Sequence, residues 1–292
     1  MAIDLVTGAG GNSGSYIAQR LLQNGRQVRT ITRNPEAIAD PIEAFPYAFS
    51  DPDLLAAAFK GVDTFYNTYW ERHPAAHGGH DIAVARSSAL ISAAAAAGVR
   101  RIVQVSVMHP ALDSPYSYHR GKAEMEELVR SSGLSYAIVR PAVMFGGKEV
   151  LLNNIAWLLR RLHVFTVPGD GKYPIRPTHV EDVADLMVRL ASSNEDGVHD
   201  AGGPETFEFG TLIRRIRDAI GVRAAVVNAP RGLVLPLTKS LRFLAPEAPV
   251  DAEELDSLIK GLVSCDGPAI GNRRYTDYLS QVSSDYGREY VR

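Results

Sequence analysis

The sequence predicts an α/β fold, a doubly wound parallel sheet with a smaller, mostly helical C-terminal lobe. Three observations predict it. Through the first two thirds of the chain, short β-type runs alternate with longer helical patterns, the sequence form of βαβ units. Glycines 8, 10, 11 and 14 fill the turn between the first strand and the first helix. After Gly147 the alternation gives way to apolar helical patterns separated by Gly- and Pro-bearing turns.

Ala2 to Thr7 reads as the first strand, and Ile17, Leu21 and Leu22 give the helical spacing of a segment that ends near Gly25. Gln27 to Thr32 is the second strand. Asp51-Pro52 places an N-cap before a first-turn proline, so a helix runs from Pro52 to Lys60 and stops at Gly61. Asp63 to Thr68 is a strand, and the alanine-rich run Asp81 to Ala97 is a helix closed by Gly98. The unit repeats with strand Arg101 to Val107, helix Tyr116 to Ser132, and strand Ser135 to Arg140 stopped by Pro141. Beyond it, Leu151 to Leu162 and Val180 to Ala191 are helical, and 204–292 holds two or three helical patterns between proline-bearing segments. These readings divide the chain into a βαβ domain, 1–148 with 174–203 returning to it, and a smaller lobe, 149–173 with 204–292.

Composition narrows the functional classes. Lys+Arg 31 against Asp+Glu 33 gives a net charge of -2, so no global field draws the chain to nucleic acid or to an anionic membrane. The one cysteine, Cys265, excludes an intramolecular disulfide framework and fits a reducing compartment. The N-terminus has no basic segment before an apolar stretch, and no apolar run approaches membrane-spanning length. The expectation is a cytoplasmic protein with a small-molecule partner, and neither a membrane nor a nucleic acid.

Gly8, Gly10, Gly11, Asn12, Ser13 and Gly14 follow the first strand directly and open the first helix. Glycines there allow a tight turn, close approach of backbone N–H groups to a pyrophosphate, and close helix-to-strand packing. No Lys-Ser or Lys-Thr pair follows them, so the mononucleotide loop is excluded and a dinucleotide is favoured. At the end of the second strand stand Thr32-Arg33-Asn34-Pro35, with no acid to bind a ribose 2′-OH. The fork of Arg33 suits a 2′-phosphate, which favours NADP over NAD. Tyr118 and Lys122 lie at i and i+4 on one helix face. A phenol with a pKa of about 10 exchanges protons poorly at neutral pH, and an adjacent cation stabilises its phenolate.

At this point the sequence resembles the short-chain dehydrogenase/reductase superfamily, in its extended and atypical branches. Thr7-Gly8 through Gly14 is similar to that family's TGxxGxxG loop, Tyr118 and Lys122 to its YxxxK pair, and Arg140-Pro141 through Phe145-Gly146 to its RPxxxxG segment. Gly169-Asp170-Gly171-Lys172 and His179-Val180-Glu181-Asp182-Val183-Ala184 resemble the extended branch's GDG and HVxDVA passage. The resemblance covers roughly residues 3 to 220. It implies a Rossmann-type fold, cofactor contacts from the glycine loop, Lys122 and Pro141, and a serine at the end of the strand before the tyrosine that hydrogen-bonds the reacting carbonyl or hydroxyl. Ser106 matches that place, with Ser114 and Ser117 as rivals. Ala48 stands where the family often has an acid near the adenine, which implies adenine binding through backbone.

Tyr69 and Trp70 follow a strand directly and are candidates for a substrate pocket, because aromatics at a strand's C-terminal end face the crevice. Trp157 lies on an apolar helical stripe, as core or as pocket wall. His73, His77 and His80 have metal-like spacing, but Pro74, Gly78 and Gly79 interrupt the run, so a loop at the substrate edge or the surface is expected and no metal. His119, between the tyrosine and the lysine, is expected to face solvent. The leading functional expectation is an NADP-dependent oxidoreductase acting on a carbonyl or alcohol of a small, partly apolar molecule. A redox-neutral epimerase, dehydratase or cyclase and a non-catalytic NADP-sensing protein are the alternatives.

Overall fold

A computed structural model describes residues 2–71, 79–230, 232, 234 and 252–291. The chain forms two compact units, one made of the chain up to Pro141 with Val180–Ala201, the other of Ala142–His179 with Gly202 onward.

The first unit is an α/β fold built on a parallel sheet. Its strands are β1 (Ile3–Thr7), β2 (Gln27–Thr32), β3 (Glu43–Pro46), β4 (Val62–Asn67), β5 (Arg101–Val105), β6 (Ser135–Pro141) and the returning strand Gly197–Ala201. Among the described residues they form a 7-stranded sheet in the order Gly197–Ala201, β6, β5, β4, β1, β2, β3, with every pairing parallel. The order reverses between β1 and β4, which is the switch point where a doubly wound sheet opens a crevice at the C-terminal strand ends. The helices that connect these strands are α1 (Asn12–Gln23), α2 (Pro52–Phe59), α3 (His80–Ala96) and α4 (Ser117–Ser131). α1 packs with the returning helix Val180–Ala191, while α2 packs on α3 and α3 on α4.

Local chemistry explains these boundaries. Asp51 caps α2 by accepting from Leu54 N–H at 3.1 Å, and Pro52 follows at the first helical position, where its missing donor costs nothing. Every residue of β5 is buried, as expected of a central strand in a parallel sheet. Leu5, Ile31, Phe59, Phe65, Leu90, Ile102 and Ile138 form a core between sheet and helices. One buried cation belongs to this packing. Arg101 on β5 donates to Leu190 O at 3.0 Å and Glu195 O at 2.8 Å, so its charge meets the carbonyl end of the returning helix.

Two edge strands were not expected from sequence. β3 ends in a proline and is only partly buried, and Gly197–Ala201 alternates between half-buried and exposed until the buried Ala201. Neither carries the apolar run that marks an interior strand.

The second unit holds the helices Leu151–Arg161, Phe209–Ala219, Ala252–Ile259 and Tyr275–Val282. They surround Phe145, Leu152, Leu159, Ile175, Leu212, Ile216 and Tyr275. It also contains short two-stranded sheets, of which Val164–Pro168 with Ala225–Ala229 is the longest. Among the described residues, no helix is long and apolar enough to cross a membrane.

Candidate active site

The turn after β1 is fixed from both sides. Gly8 has φ 65°, a conformation that a side chain disfavours, and its N–H donates to Ile31 O at 2.9 Å while its carbonyl accepts from Gly11 N–H at 2.7 Å. Thr30 on β2 completes the clamp, its hydroxyl accepting from Ala9 N–H at 3.0 Å and donating to Val6 O at 2.7 Å. A Cβ on Gly14 would lie 2.2 Å from Gly8 O, and one on Gly11 would lie 3.1 Å from the same atom. The loop therefore lays bare backbone over the N-terminus of α1, with Asn12 and Ser13 in its first turn. This cradle fits a dinucleotide's pyrophosphate, whose charge the helix N-terminus favours.

A buried polar ladder ties this loop to the neighbouring strand ends. Thr7 donates to Asn67 Oδ1 at 3.2 Å and accepts from Thr68 N–H at 2.7 Å. Asn67 Nδ2 donates to Gln104 Oε1 at 2.8 Å, and Gln104 Nε2 donates to Val105 O at 2.8 Å. Such networks, once satisfied, hold the edge rigid. Sequence reading missed Asn67 and Gln104, although two amides inside otherwise apolar strands are a legible signal.

Val105 O also accepts from Lys122 Nζ, at 3.4 Å. Tyr118, Lys122 and Glu126 follow one another at i, i+4 and i+8 along one face of α4. The Lys122 ammonium lies 5.9 Å from the Tyr118 ring centroid and 4.0 Å from that of Trp70. Trp70 stacks on His80 at 5.4 Å and meets Tyr118 edge-on at 5.6 Å. Gly121 permits this approach, since a Cβ there would lie 3.2 Å from the indole. Burial pulls the Lys122 pKa down from 10.5 to about 7, against the opposing charge of Glu126. A phenolate forming on Tyr118 would favour the ammonium again.

The depressed pKa has a consequence for stability. Between pH 7 and 10.5 the unfolded chain holds a proton that native Lys122 does not, so stability gained from this residue rises with pH through that window. Lys122→Met removes the penalty. We expect the variant to be more stable than wild type near neutral pH by up to about 4 kcal/mol, the advantage shrinking towards zero as pH approaches the upper limit. Urea unfolding of both proteins across that range measures it; parallel stability curves would contradict it.

Ser106 continues β5, its N–H donating to Val139 O at 2.7 Å. Its hydroxyl donates to Glu126 Oε1 at 2.5 Å. Glu126 also accepts from Arg140 Nε at 2.8 Å, Arg140 Nη2 at 2.6 Å and Arg130 Nη2 at 2.8 Å. Burial pushes this carboxyl up, but the hydrogen bonds from Arg140 and Ser106 and the arginine charges bring it below its ordinary value. Glu126 carried no expectation from sequence; its signal is that it extends the Tyr118–Lys122 stripe by one turn.

Arg33 stands exposed at the end of β2, with Nη2 3.6 Å from Glu71 Oε2. Glu71 is buried and accepts from Tyr69 OH at 2.6 Å and Arg86 Nη1 at 2.6 Å. An acid thus lies near Arg33 after all, from the segment that follows β4, whose proximity the local sequence does not show. Tyr69 is buried, its ring against Tyr47 and Phe49. Pro141 closes β6 and is buried. Trp157 lies in the second unit, its ring 5.3 Å from Tyr290 and 4.1 Å from the Arg161 guanidinium. His73 and His77 lie outside the described residues, and His80 begins α3. The expectation for His119 is corrected: it is buried, with Nδ1 3.2 Å from His109 O and its ring against Tyr116. The segment between β5 and α4 folds back over this helix face.

Comparison with known proteins agrees with the geometry. Residues 8–194 match the NAD(P)H-binding family. The chain is 26% identical over 261 residues to the mitochondrial NADH dehydrogenase (ubiquinone) 1 alpha subcomplex subunit 9 of Arabidopsis thaliana, covering 84% of this chain and 64% of that protein. It is 30% identical over 212 residues to the (4-alkanoyl-5-oxo-2,5-dihydrofuran-3-yl)methyl phosphate reductase of Streptomyces griseus, covering 69% of this chain and 68% of that protein. In fold it is similar to an NADPH-dependent quinone oxidoreductase from Escherichia coli complexed with NADPH, with a TM-score of 0.76 at 21% identity over 96% of this chain and 99% of that one. The bare glycine cradle over α1 and the sheet's switch point thus have their counterpart in a sequence match, and the chain belongs to the NAD(P)H-binding family.

Proposed function

We propose that the protein is an NADP-dependent oxidoreductase that acts on a carbonyl or alcohol of a small, partly apolar molecule. The observation that carries this reading is the stripe of Tyr118 and Lys122 beside the C-terminal end of β5, with Lys122 Nζ on Val105 O and the ring of Trp70. When bound, NADP supplies or accepts the hydride. Tyr118 passes a proton between its hydroxyl and the reacting oxygen, Lys122 stabilises the phenolate and holds the cofactor's ribose, and Ser106 orients a substrate oxygen. The glycine loop, Asn12 and Ser13 hold the pyrophosphate, Pro141 borders the cofactor, and Trp70 and Tyr69 border the substrate edge. The reductase name of the Streptomyces relative and the NADPH of the E. coli protein support the assignment. Incubation with NADPH and a panel of quinones, ketones and aldehydes, following the nicotinamide absorbance, tests it. Consumption with at least one carbonyl is the expected result; tight NADPH binding with no consumption would favour a binding role.

Cofactor choice rests on Arg33. Its exposed guanidinium can exchange Glu71 at 3.6 Å for a 2′-phosphate. Arg33→Ala should weaken NADPH by about 1.5 to 3 kcal/mol and leave NADH nearly unchanged. Calorimetric titration with both cofactors reads this out, and equal affinities in the unmutated protein would contradict it.

A further inference from the structure

The hydroxyl of Ser106 has one proton, and the structure shows where it goes. Ser106 donates to Glu126 Oε1 at 2.5 Å. Arg140 Nε bonds the same oxygen, and Arg140 Nη2 with Arg130 Nη2 bond Oε2. An ionised carboxylate accepts at about four positions and donates at none, so all four are filled here. With two guanidiniums on it, this buried carboxylate keeps its charge and cannot return a proton to Ser106. What Ser106 has left for any other partner is a lone pair.

Resting on the reading that Ser106 meets the substrate, we infer that Glu126 is a positioning residue that fixes Ser106 Oγ as an acceptor, so that Ser106 holds a second, non-reacting hydroxyl of the substrate. A lone pair aimed at the reacting carbonyl would repel the negative charge that develops there. Tyr118 is then the donor to the reacting oxygen, and the substrate class is a carbonyl compound with a neighbouring hydroxyl, or the diol formed from it. No proton leaves Ser106 during the reaction.

Two measurements test this. The first needs neither cofactor nor turnover, so it stands apart from the proposed activity: NMR of the full chain labelled in serine. A downfield, slowly exchanging hydroxyl proton on Ser106 that disappears in Ser106→Ala and weakens in Glu126→Gln supports the fixed polarity. Its absence from wild type, or its persistence unchanged in Glu126→Gln, overturns it. Ser106→Ala leaves both arginines on Glu126 and so keeps the cluster's charge balance. The second measures binding of hydroxymethyl phenyl ketone and methoxymethyl phenyl ketone to the NADP-loaded protein by ligand-observed NMR. The two probes differ in whether they can donate. Wild type should prefer the hydroxyl compound by about tenfold, the worth of one well-placed hydrogen bond. Ser106→Ala should lose the preference and Ser106→Thr should keep it. Equal binding, binding of neither probe, or a preference that survives in Ser106→Ala would overturn the substrate class.

Discussion

Tyr118→Phe should remove nearly all turnover and leave NADPH affinity within a factor of about two. The asymmetry follows from what the side chain touches. Its ring packs against Trp70, His80 and His119 at 5.6 to 5.7 Å between centroids, and phenylalanine keeps those contacts. The hydroxyl is lost, and with it the proton it passes and the alignment of the reacting oxygen. General acid catalysis contributes about 10² to 10⁴, and the lost alignment brings the expected penalty to about 3–5 kcal/mol in the chemical barrier. Steady-state kinetics with the best carbonyl of the panel, beside a calorimetric NADPH titration, separates the two effects. A variant that keeps more than about a tenth of wild-type turnover would point to another acid, with Tyr116 and His80 the first to examine.

The second large effect is expected at Gly14. A Cβ there would stand 2.2 Å from Gly8 O, 2.8 Å from Gly8 C and 3.0 Å from Thr7 O. All three atoms are backbone, and the Gly8 carbonyl is itself the acceptor that closes the turn with Gly11. No side chain can rotate out of the way, so Gly14→Ala must move the loop off β1 or α1 away from the sheet. Either movement breaks the cradle. We expect NADPH affinity to fall by at least about 100-fold, near 3 kcal/mol, together with a drop in thermal stability. Gly11→Ala is the comparison. It meets only Gly8 O, at 3.1 Å, a contact that a shift of a few tenths of an ångström relieves, so its effect on folding should be much smaller. Equal, mild losses in both variants would show that the loop yields more easily than its packing implies.

What sequence reading captured and what it missed divide along physical lines. β2 and the helix Val180–Ala191 lie where expected to the residue, because apolar periodicity and flanking turn residues set such ends locally. The start of α2 shows the same, its Asp51 cap and following proline being a signal confined to consecutive positions. β3 and Gly197–Ala201 escaped because an edge strand buries one side weakly and needs no apolar run. The site divides in the same way. The glycine loop and the Tyr118–Lys122 spacing are local patterns and were legible. Glu126 meets Ser106 twenty residues away, Glu71 reaches the surroundings of Arg33 from the segment after β4, and Thr30 clamps Ala9 across the sheet. Each pairing exists only once the sheet is assembled. The inward turn of His119 has the same origin, since the covering segment is set by the path of the chain after β5.

The most direct test of the central claim is transfer of label from the cofactor. Protein, NADPH deuterated at the R position or, in a parallel incubation, the S position of the nicotinamide C4, and a ketone or aldehyde that the panel shows to be consumed are incubated together, and the alcohol formed is analysed by mass spectrometry and NMR. One deuterium is expected on the former carbonyl carbon, delivered from one face of the nicotinamide only, with the rate lost in Tyr118→Phe. Product without deuterium, or label delivered equally from both faces, would contradict hydride transfer at this site.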